Sequence, residues 1–174
     1  MTKSILVGIV LVLGTATGAR AQSAAAVEAT TAFEITPHVA IGPAGETGAG
    51  AAVRWPIGSR FSIEFDAGYR RAEITALYSN LGLLFDLPSI GRATPYLAAG
   101  IGLHQYGYAE MSPAGTPVSH SATTVAVNAG GGVRVPVTEN WGVRADARWQ
   151  NGLGRNAPER WRVVNGVSFH KKAD

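Results

Sequence analysis

The sequence predicts an all-β protein in which eight antiparallel strands form an up-and-down barrel. Apolar side chains alternate with polar or small ones throughout residues 61–70, and they do so again throughout residues 141–150. A period of two places one set of side chains on each face of a β-strand. Clusters rich in glycine, proline and asparagine separate such stretches, and no window after residue 22 shows the apolar period of a helix.

Residues 1–21 have the features of a secretory signal peptide. Lys3 precedes an apolar run at residues 5–13, and small residues on either side of Arg20 supply a cleavage site of the A-x-A type. The run is far shorter than the roughly 20 residues that a membrane-spanning helix needs. We expect cleavage after residue 21, which leaves a short N-terminal periplasmic segment at residues 22–31. Loss of Lys3 and Arg20 lowers the formal net charge from +3 to +1, which gives no indication of a nucleic-acid partner.

Six further stretches with weaker alternation complete the eight strands. They are residues 33–42, 48–55, 75–87, 95–106, 123–135 and 161–169. Eight strands of about ten residues suffice to close a small barrel. We therefore assign the barrel to residues 32–170 and a polar tail to residues 171–174. Residues 107–121 contain two prolines and two glycines and are predicted to form an exposed loop.

The polar faces of these strands have the composition of a narrow barrel interior. The only lysines after residue 21 are Lys171 and Lys172, whereas a sheet that faces water usually carries many. Carboxylates and arginines are nearly balanced, as ion pairs inside a lumen require. The alternation assigns to this lumen network Glu34, Arg54, Glu64, Asp66, Arg134, Arg144, Asp146 and Arg148, with Arg70, Asp86 and Arg162 on the same faces.

Large aromatic residues of the apolar faces gather near the strand ends, which indicates that these faces meet lipid. Transmembrane β-barrels have two aromatic girdles that bound an apolar band about 25 Å tall. A soluble periplasmic cup, the alternative fold, has no reason to place tryptophans there. The predicted girdles are Phe33, Trp55, Phe61, Phe85, Trp141 and Phe169 at one rim and Tyr69, Trp149 and Trp161 at the other.

Connections at the two ends of the barrel differ in length. Residues 56–59 and 136–140 form tight turns, whereas residues 107–121 and 151–158 are longer. Outer-membrane barrels combine short periplasmic turns with longer extracellular loops. The sequence therefore predicts extracellular loops, which are residues 43–46, 71–74, 105–121 and 151–159.

Two motifs resemble the small outer-membrane β-barrels of the OmpA-like, OmpX-like and opacity-protein group. Residues 94–102 read TPYLAAGIG, which is similar to a strand opening in that group. Residues 128–149 resemble the next hairpin, in which a glycine-rich strand turns through T-E-N into a strand that ends in acid, x, Arg, aromatic. The resemblance implies an eight-stranded barrel in the outer membrane of a Gram-negative-type bacterium. The chain departs from that group at its C-terminus, because five residues follow Phe169 where an aromatic residue is commonly the last.

No catalytic motif, cofactor site or metal site stands out. The chain has no cysteine, and the glycines at 130–132 lack the lysine and the hydroxyl residue of a phosphate loop. His38 is predicted to join a polar network in the lumen rather than to bind a metal. Some barrels of this shape are acyl hydrolases that act on lipopolysaccharide, and such an enzyme needs a serine, a histidine and an acid together. The residues that this alternative would use are His104, His120, Ser121 and Glu110.

We expect ion pairs among the lumen charges to block the lumen. Glu64 lies three residues after the girdle residue Phe61, and Arg144 lies three residues after the girdle residue Trp141. The two are therefore at the same depth, on strands that face each other across the lumen. The sequence therefore predicts a network that joins Glu64 and Asp66 to Arg144 and Arg148. A second pair, Glu34 with Arg54, is predicted near the base on neighbouring strands.

This interior favours a non-enzymatic outer-membrane barrel with a plugged lumen, acting structurally or through its extracellular loops. The expected partners are outer-membrane lipid, lipopolysaccharide and the barrel-assembly machinery. Two other functions stay open, a lipid-modifying acyl hydrolase on the same barrel and a narrow solute channel.

Overall fold

The computed structural model describes residues 31–71, 75–112, 115–153 and 159–172. The strands are β1 (Thr31–Ile41), β2 (Thr47–Pro56), β3 (Phe61–Arg71), β4 (Thr75–Asp86), β5 (Thr94–Met111), β6 (Pro117–Pro136), β7 (Trp141–Gly152) and β8 (Glu159–Lys172). A single 3-10 turn, Pro43–Gly45, lies between β1 and β2. Within the described ranges, no helix is long and apolar enough to span a bilayer. The predicted signal peptide and nearly all of the predicted periplasmic segment lie outside these ranges.

Each strand pairs antiparallel with the next, and β8 pairs with β1, so the sheet is a closed barrel. The predicted fold, an eight-stranded antiparallel barrel, is confirmed. The strands are staggered: following the partners of Ile41 around the barrel through Val163 and Ala147 leads to Phe61, at the opposite end. Such a stagger tilts the strands of a barrel by about 35–45° from its axis.

Apolar side chains cover the outside of the barrel, and polar side chains fill the inside. Leu81, Leu97 and Ile101 are each more than half exposed on the outer surface. Inside, the buried apolar residues of the described ranges are mostly alanine, and Leu84, Tyr96 and Ala98 form a small cluster among them. This distribution is the reverse of a water-soluble fold and is the one that a membrane-spanning barrel requires.

Two interior glycines make room for tyrosine side chains. A Cβ atom at Gly68 would lie 2.6 Å from the Tyr78 hydroxyl, and one at Gly132 would lie 2.5 Å from the Tyr96 hydroxyl. Both distances are well inside van der Waals contact, so a larger residue would displace the tyrosine. The glycine content of the strands therefore reflects the narrow interior as well as the turns.

The start of β1 and the end of β8 lie at the same end of the barrel as three short connections. In the turn at residues 137–140, the backbone N–H of Val137 donates to the carbonyl oxygen of Trp141 at 3.1 Å. The Thr138 hydroxyl oxygen accepts from the N–H of Asn140 at 3.2 Å and from that of Trp141 at 3.3 Å. These bonds explain why the sequence T-E-N reverses the chain so tightly.

The predicted loop at residues 107–121 is wrong in its extent. β5 and β6 stay paired as far as Met111 and Pro117, so the turn itself covers only residues 112–116. Neither strand shows apolar alternation there, because this part of the hairpin projects past the barrel wall and has no apolar face to bury. β8 is also longer than predicted, since Lys171 and Lys172 pair with β1 and do not begin a tail.

Candidate functional site: the charged barrel interior

The structure places all eight residues of the predicted lumen network inside the barrel. Each is at most 4% exposed, although each carries a charge. The alternation along the strands causes this, because it turns every second side chain away from the lipid-facing surface. Buried charges are costly unless they are paired, so the arrangement of the pairs decides what the interior can do.

A base layer of charges lies at the end of the barrel where β1 begins and β8 ends. Arg54 Nε donates to Glu34 Oε2 at 2.9 Å, across a directly paired position of β1 and β2. The Arg54 Nη1 atom also lies 3.4 Å from Asp86 Oδ2, and Arg134 Nη2 lies 2.6 Å from Asp86 Oδ1. Two carboxylates and two arginines therefore alternate around this layer, and His170 Nε2 approaches Glu34 at 3.8 Å.

A central cluster joins opposite walls of the barrel. Arg144 of β7 donates to Glu64 of β3, to Asp146 Oδ2 at 2.8 Å and to the Tyr96 hydroxyl at 2.7 Å. Arg148 donates to Glu64 Oε1 at 2.6 Å and to Asp146 Oδ2 at 3.2 Å. The Tyr96 hydroxyl in turn donates to Asp146 at 2.9 Å. Two acids and two arginines thus share one network. The contact between Glu64 and Arg144 agrees with the prediction from their equal depth in the barrel.

Asp66 pairs with Arg162, and the prediction that it joins Arg144 and Arg148 is wrong. Arg162 Nη2 lies 2.6 Å from Asp66 Oδ2, and His38 Nε2 lies 3.5 Å from Asp66 Oδ1. Asp66 lies two residues farther from the base layer than Glu64, and at that level its side chain meets Arg162 of β8. His38 is thereby a member of the polar network: its Nε2 atom lies 3.0 Å from the Tyr78 hydroxyl.

A gap at the centre of the interior, between these groups, does not admit a water-sized sphere. Its walls are Thr36, His38, Ala52, Glu64, Asp66, Arg144, Asp146, Arg148, Arg162 and Val164. This gap has no room for a hydrated ion.

An outer layer of charges, which the sequence reasoning missed in part, lies near the end opposite the termini. Arg160 Nη1 donates to Glu46 Oε1 at 3.1 Å, and Arg70 Nη1 lies 3.6 Å from Glu46 Oε2. The Arg160 guanidinium also lies 5.8 Å from the centre of the Tyr106 ring. Arg160 was included neither in the predicted loop at residues 151–159 nor in the predicted strand at residues 161–169, although extending the alternation of β8 by two residues from Arg162 identifies it. Nothing in the sequence around Glu46 indicates that it turns inward.

The predicted girdle residues lie on the outer surface at the two ends of the barrel. Phe61 and Phe85 pair across β3 and β4, with ring centroids 5.1 Å apart, at the end near the termini. Trp149 and Trp161 pair across β7 and β8 towards the other end. The remaining girdle residues, which are also partly or fully exposed, are Phe33, Trp55, Tyr69, Trp141 and Phe169.

The residues of the acyl-hydrolase alternative do not share a face. His104 is buried in the interior. Ser121 pairs with Gly107 on the exposed part of the hairpin, and the alternation along β6 places it on the face opposite to that of His104. His120, next to Ser121 in β6, points to the opposite side of that strand. The side chain of Glu110 lies outside the described residues. Among the side chains that are described, no group of three His, Asp or Glu residues is placed to hold a metal ion.

Comparison with solved structures identifies other barrels of this shape. The N-terminal β-barrel domain of Pseudomonas aeruginosa OprF has a TM-score of 0.65 at 18% identity, covering 80% of this chain and 96% of that one. OprG from the same organism has a TM-score of 0.59 at 10% identity, covering 83% and 98%. Neisserial surface protein A has a TM-score of 0.57 at 14% identity, covering 81% and 94%. At these identities the likeness concerns the fold alone.

Comparison at the sequence level places the chain in a family. No curated protein sequence gives a match. Residues 7–153 match the family model described as the outer membrane protein beta-barrel domain, which is well over half of the chain. The family implies a location in a Gram-negative outer membrane, in agreement with the apolar outer surface of the barrel. The chain belongs to the outer membrane protein beta-barrel domain family.

Proposed function

We propose that this protein is a non-enzymatic outer-membrane barrel that conducts no solutes. We further propose that it acts structurally or by presenting the outer part of the β5–β6 hairpin to partners. The observation that carries the proposal is the central cluster, in which Glu64 of β3 meets Arg144 and Arg148 of β7 across the lumen. Opening a path along the axis would require separating these charges. Removing one partner of a buried ion pair costs about 3–5 kcal/mol, and a separation of similar cost would populate an open form below about 1%.

Conductance in planar bilayers tests the closed interior. We expect the wild-type protein to show rare, brief events and no steady large openings. The double variant Glu64→Ala with Arg144→Ala removes both sides of the cross-barrel contact and should open more often. Arg71→Ala is the matched control, because Arg71 is exposed and lies on the outer parity of β3. Steady openings of the wild-type protein, or a double variant as silent as the control, would contradict the proposal.

The outer hairpin supports a role at the cell surface. β4 pairs with β5 only as far as Tyr106, and β7 pairs with β6 only as far as Ala126. Beyond these positions residues 107–111 and 117–121 form a two-stranded ribbon, the outer ribbon, that projects from the barrel rim. Exposed two-stranded ribbons of this kind offer backbone groups and side chains to a partner without disturbing the barrel.

A shortened hairpin separates the structural role from the surface role. Residues 109–119 are replaced by an Asn-Gly turn, which suits a two-residue hairpin connection. Cells that lack the protein are complemented with the full-length or the shortened form, and their resistance to detergent is measured. A structural role predicts equal rescue by both forms. A surface role predicts rescue by the full-length form alone, with the shortened form still migrating as a folded barrel in unheated gels.

The non-enzymatic part of the proposal has its own test. Lipid A from cells with and without the protein should give the same mass spectrum. A change in acylation would assign an enzymatic function despite the separation of Ser121 from His104. The proposal also includes export through a signal peptide at residues 1–21 and insertion by the barrel-assembly machinery beside lipopolysaccharide, and N-terminal sequencing of the mature protein checks the cleavage position.

A further inference from the structure

The interior charges are balanced at every depth except the outermost. The base layer has two carboxylates and two arginines, and the central cluster together with Asp66 and Arg162 has three of each. In the outer layer, Glu46 is the single described carboxylate beside two arginines, Arg70 and Arg160. Among the described side chains, the excess positive charge inside the barrel is therefore concentrated at this outer end.

Arg70 is the arginine of this layer whose guanidinium group lacks hydrogen bonds to the described residues. Its side chain is 3% exposed, yet none of its three guanidinium nitrogens has a hydrogen-bond partner among the described residues. Its ion pair with Glu46 is long, at 3.6 Å from Nη1 to Oε2, whereas Arg160 lies 3.1 Å from the other oxygen of that carboxylate. A buried guanidinium without hydrogen bonds loses much free energy, which a ligand with acceptor atoms would restore.

Two other donors towards this end of the interior also lack hydrogen-bond partners within the described ranges. The Nε2 atoms of His104 and Gln150 are buried and have no hydrogen-bond partner in the described structure. Gln150 pairs directly with Arg160 across β7 and β8, and both Arg70 and Arg160 lie close enough to His104 to interact electrostatically. Donors from β3, β5, β7 and β8 therefore surround the outer mouth of the lumen.

We propose that this outer layer is a binding site for a small oxyanion of the phosphate or sulfate class. The planar Arg70 fork can donate two parallel hydrogen bonds to such a group, and His104 and Gln150 can donate from other directions. A single-atom anion such as chloride has no second acceptor atom, so it cannot receive the two parallel bonds of the fork on separate atoms. The wall of strands separates the site from lipid headgroups, so the ligand enters from the extracellular solution. This inference does not depend on whether the lumen conducts.

Phosphate titration of the wild-type protein is the first experiment. The purified, isotope-labelled barrel is studied by NMR in a non-ionic detergent, and the side-chain nitrogen signals of His104 and Gln150 are followed. We expect a saturable shift with a Kd below about 1 mM, and no comparable shift with chloride. No saturable change up to about 10 mM phosphate would overturn the proposal. A shift caused by lipopolysaccharide vesicles without free phosphate would overturn the assignment to a soluble ligand.

Three variants, each titrated with phosphate by calorimetry beside the wild-type protein, locate the site. Arg70→Gln should weaken phosphate binding by about tenfold or more, because it removes the charge and the fork. Arg71→Gln, which removes the same charge from the next, outward-facing residue, should change affinity by less than about twofold. Glu46→Gln should strengthen binding, since it removes the carboxylate that competes for Arg70. Equal effects at Arg70 and Arg71, or weaker binding by Glu46→Gln, would overturn the proposal. If Arg70→Gln does not fold, the Glu46 variant and the wild-type titration still decide.

Discussion

Replacing Arg144 with methionine tests how far the central cluster stabilises the barrel. Arg144 is 4% exposed and donates to Glu64, Asp146 and Tyr96. Without it, Glu64 and Asp146 must share Arg148 as their remaining cation within this cluster. Removing one partner of a buried ion pair costs about 3–5 kcal/mol, and methionine fills much of the vacated space, so little cavity cost is added. We therefore expect the free energy of unfolding to fall by about 3–5 kcal/mol.

The assay is equilibrium unfolding in urea with the barrel in lipid vesicles, followed by tryptophan fluorescence. Arg71→Met is the matched control, because this exposed arginine should change stability by less than about 0.5 kcal/mol. Adding Glu64→Gln to Arg144→Met should recover part of the loss, because it removes the carboxylate that the first change leaves undercompensated. A loss below about 1 kcal/mol for Arg144→Met, or strict additivity in the double variant, would refute the reasoning.

Two further predictions concern packing and the lipid-facing surface. Gly68→Val should destabilise the barrel by about 1–3 kcal/mol, because its Cβ would lie 2.6 Å from the Tyr78 hydroxyl. Gly58→Val, in a turn where nothing lies within 4 Å of an added Cβ, is the control, and equal effects would contradict the packing account. Leu81→Arg, on the exposed outer surface, should cost about 2–4 kcal/mol in vesicles if that surface meets lipid. Ile57→Arg, in a turn, should be nearly neutral, and an equally mild Leu81→Arg would contradict the membrane orientation.

The strands whose two faces differ most could be predicted from the sequence. In β3 and β7 every odd-numbered apolar residue faces out and the charged residues at even positions face in, because lipid and lumen impose opposite demands on the two faces. The same logic fails in the outer ribbon. Residues 107–111 and 117–121 form strands by backbone pairing alone, so their composition is that of a loop and the alternation disappears.

The partners within the interior were less predictable than its members. Glu34 and Arg54 are direct cross-strand neighbours, so the hairpin alone brings them together. The partners predicted for Asp66 were wrong because the stagger of the barrel brings Arg162 of β8 to it. That stagger cannot be read directly from the sequence. Glu46 turns inward from a connection, where no strand period applies.

Accessibility of single cysteines tests the central claim most directly, that the barrel has a closed polar interior and a lipid-facing apolar surface. The chain contains no cysteine, so each introduced thiol is unique. Ala52 and Ala98 are buried inside, at 4% and 6% exposed, and their neighbours Ala51 and Ala99 face outward. In intact outer membranes we expect Ala52→Cys and Ala98→Cys to resist a water-soluble maleimide, and Ala51→Cys and Ala99→Cys to react only with a lipid-soluble one. Rapid labelling of the interior pair by the water-soluble reagent would contradict the closed interior, and such labelling of the outer pair would contradict the membrane orientation.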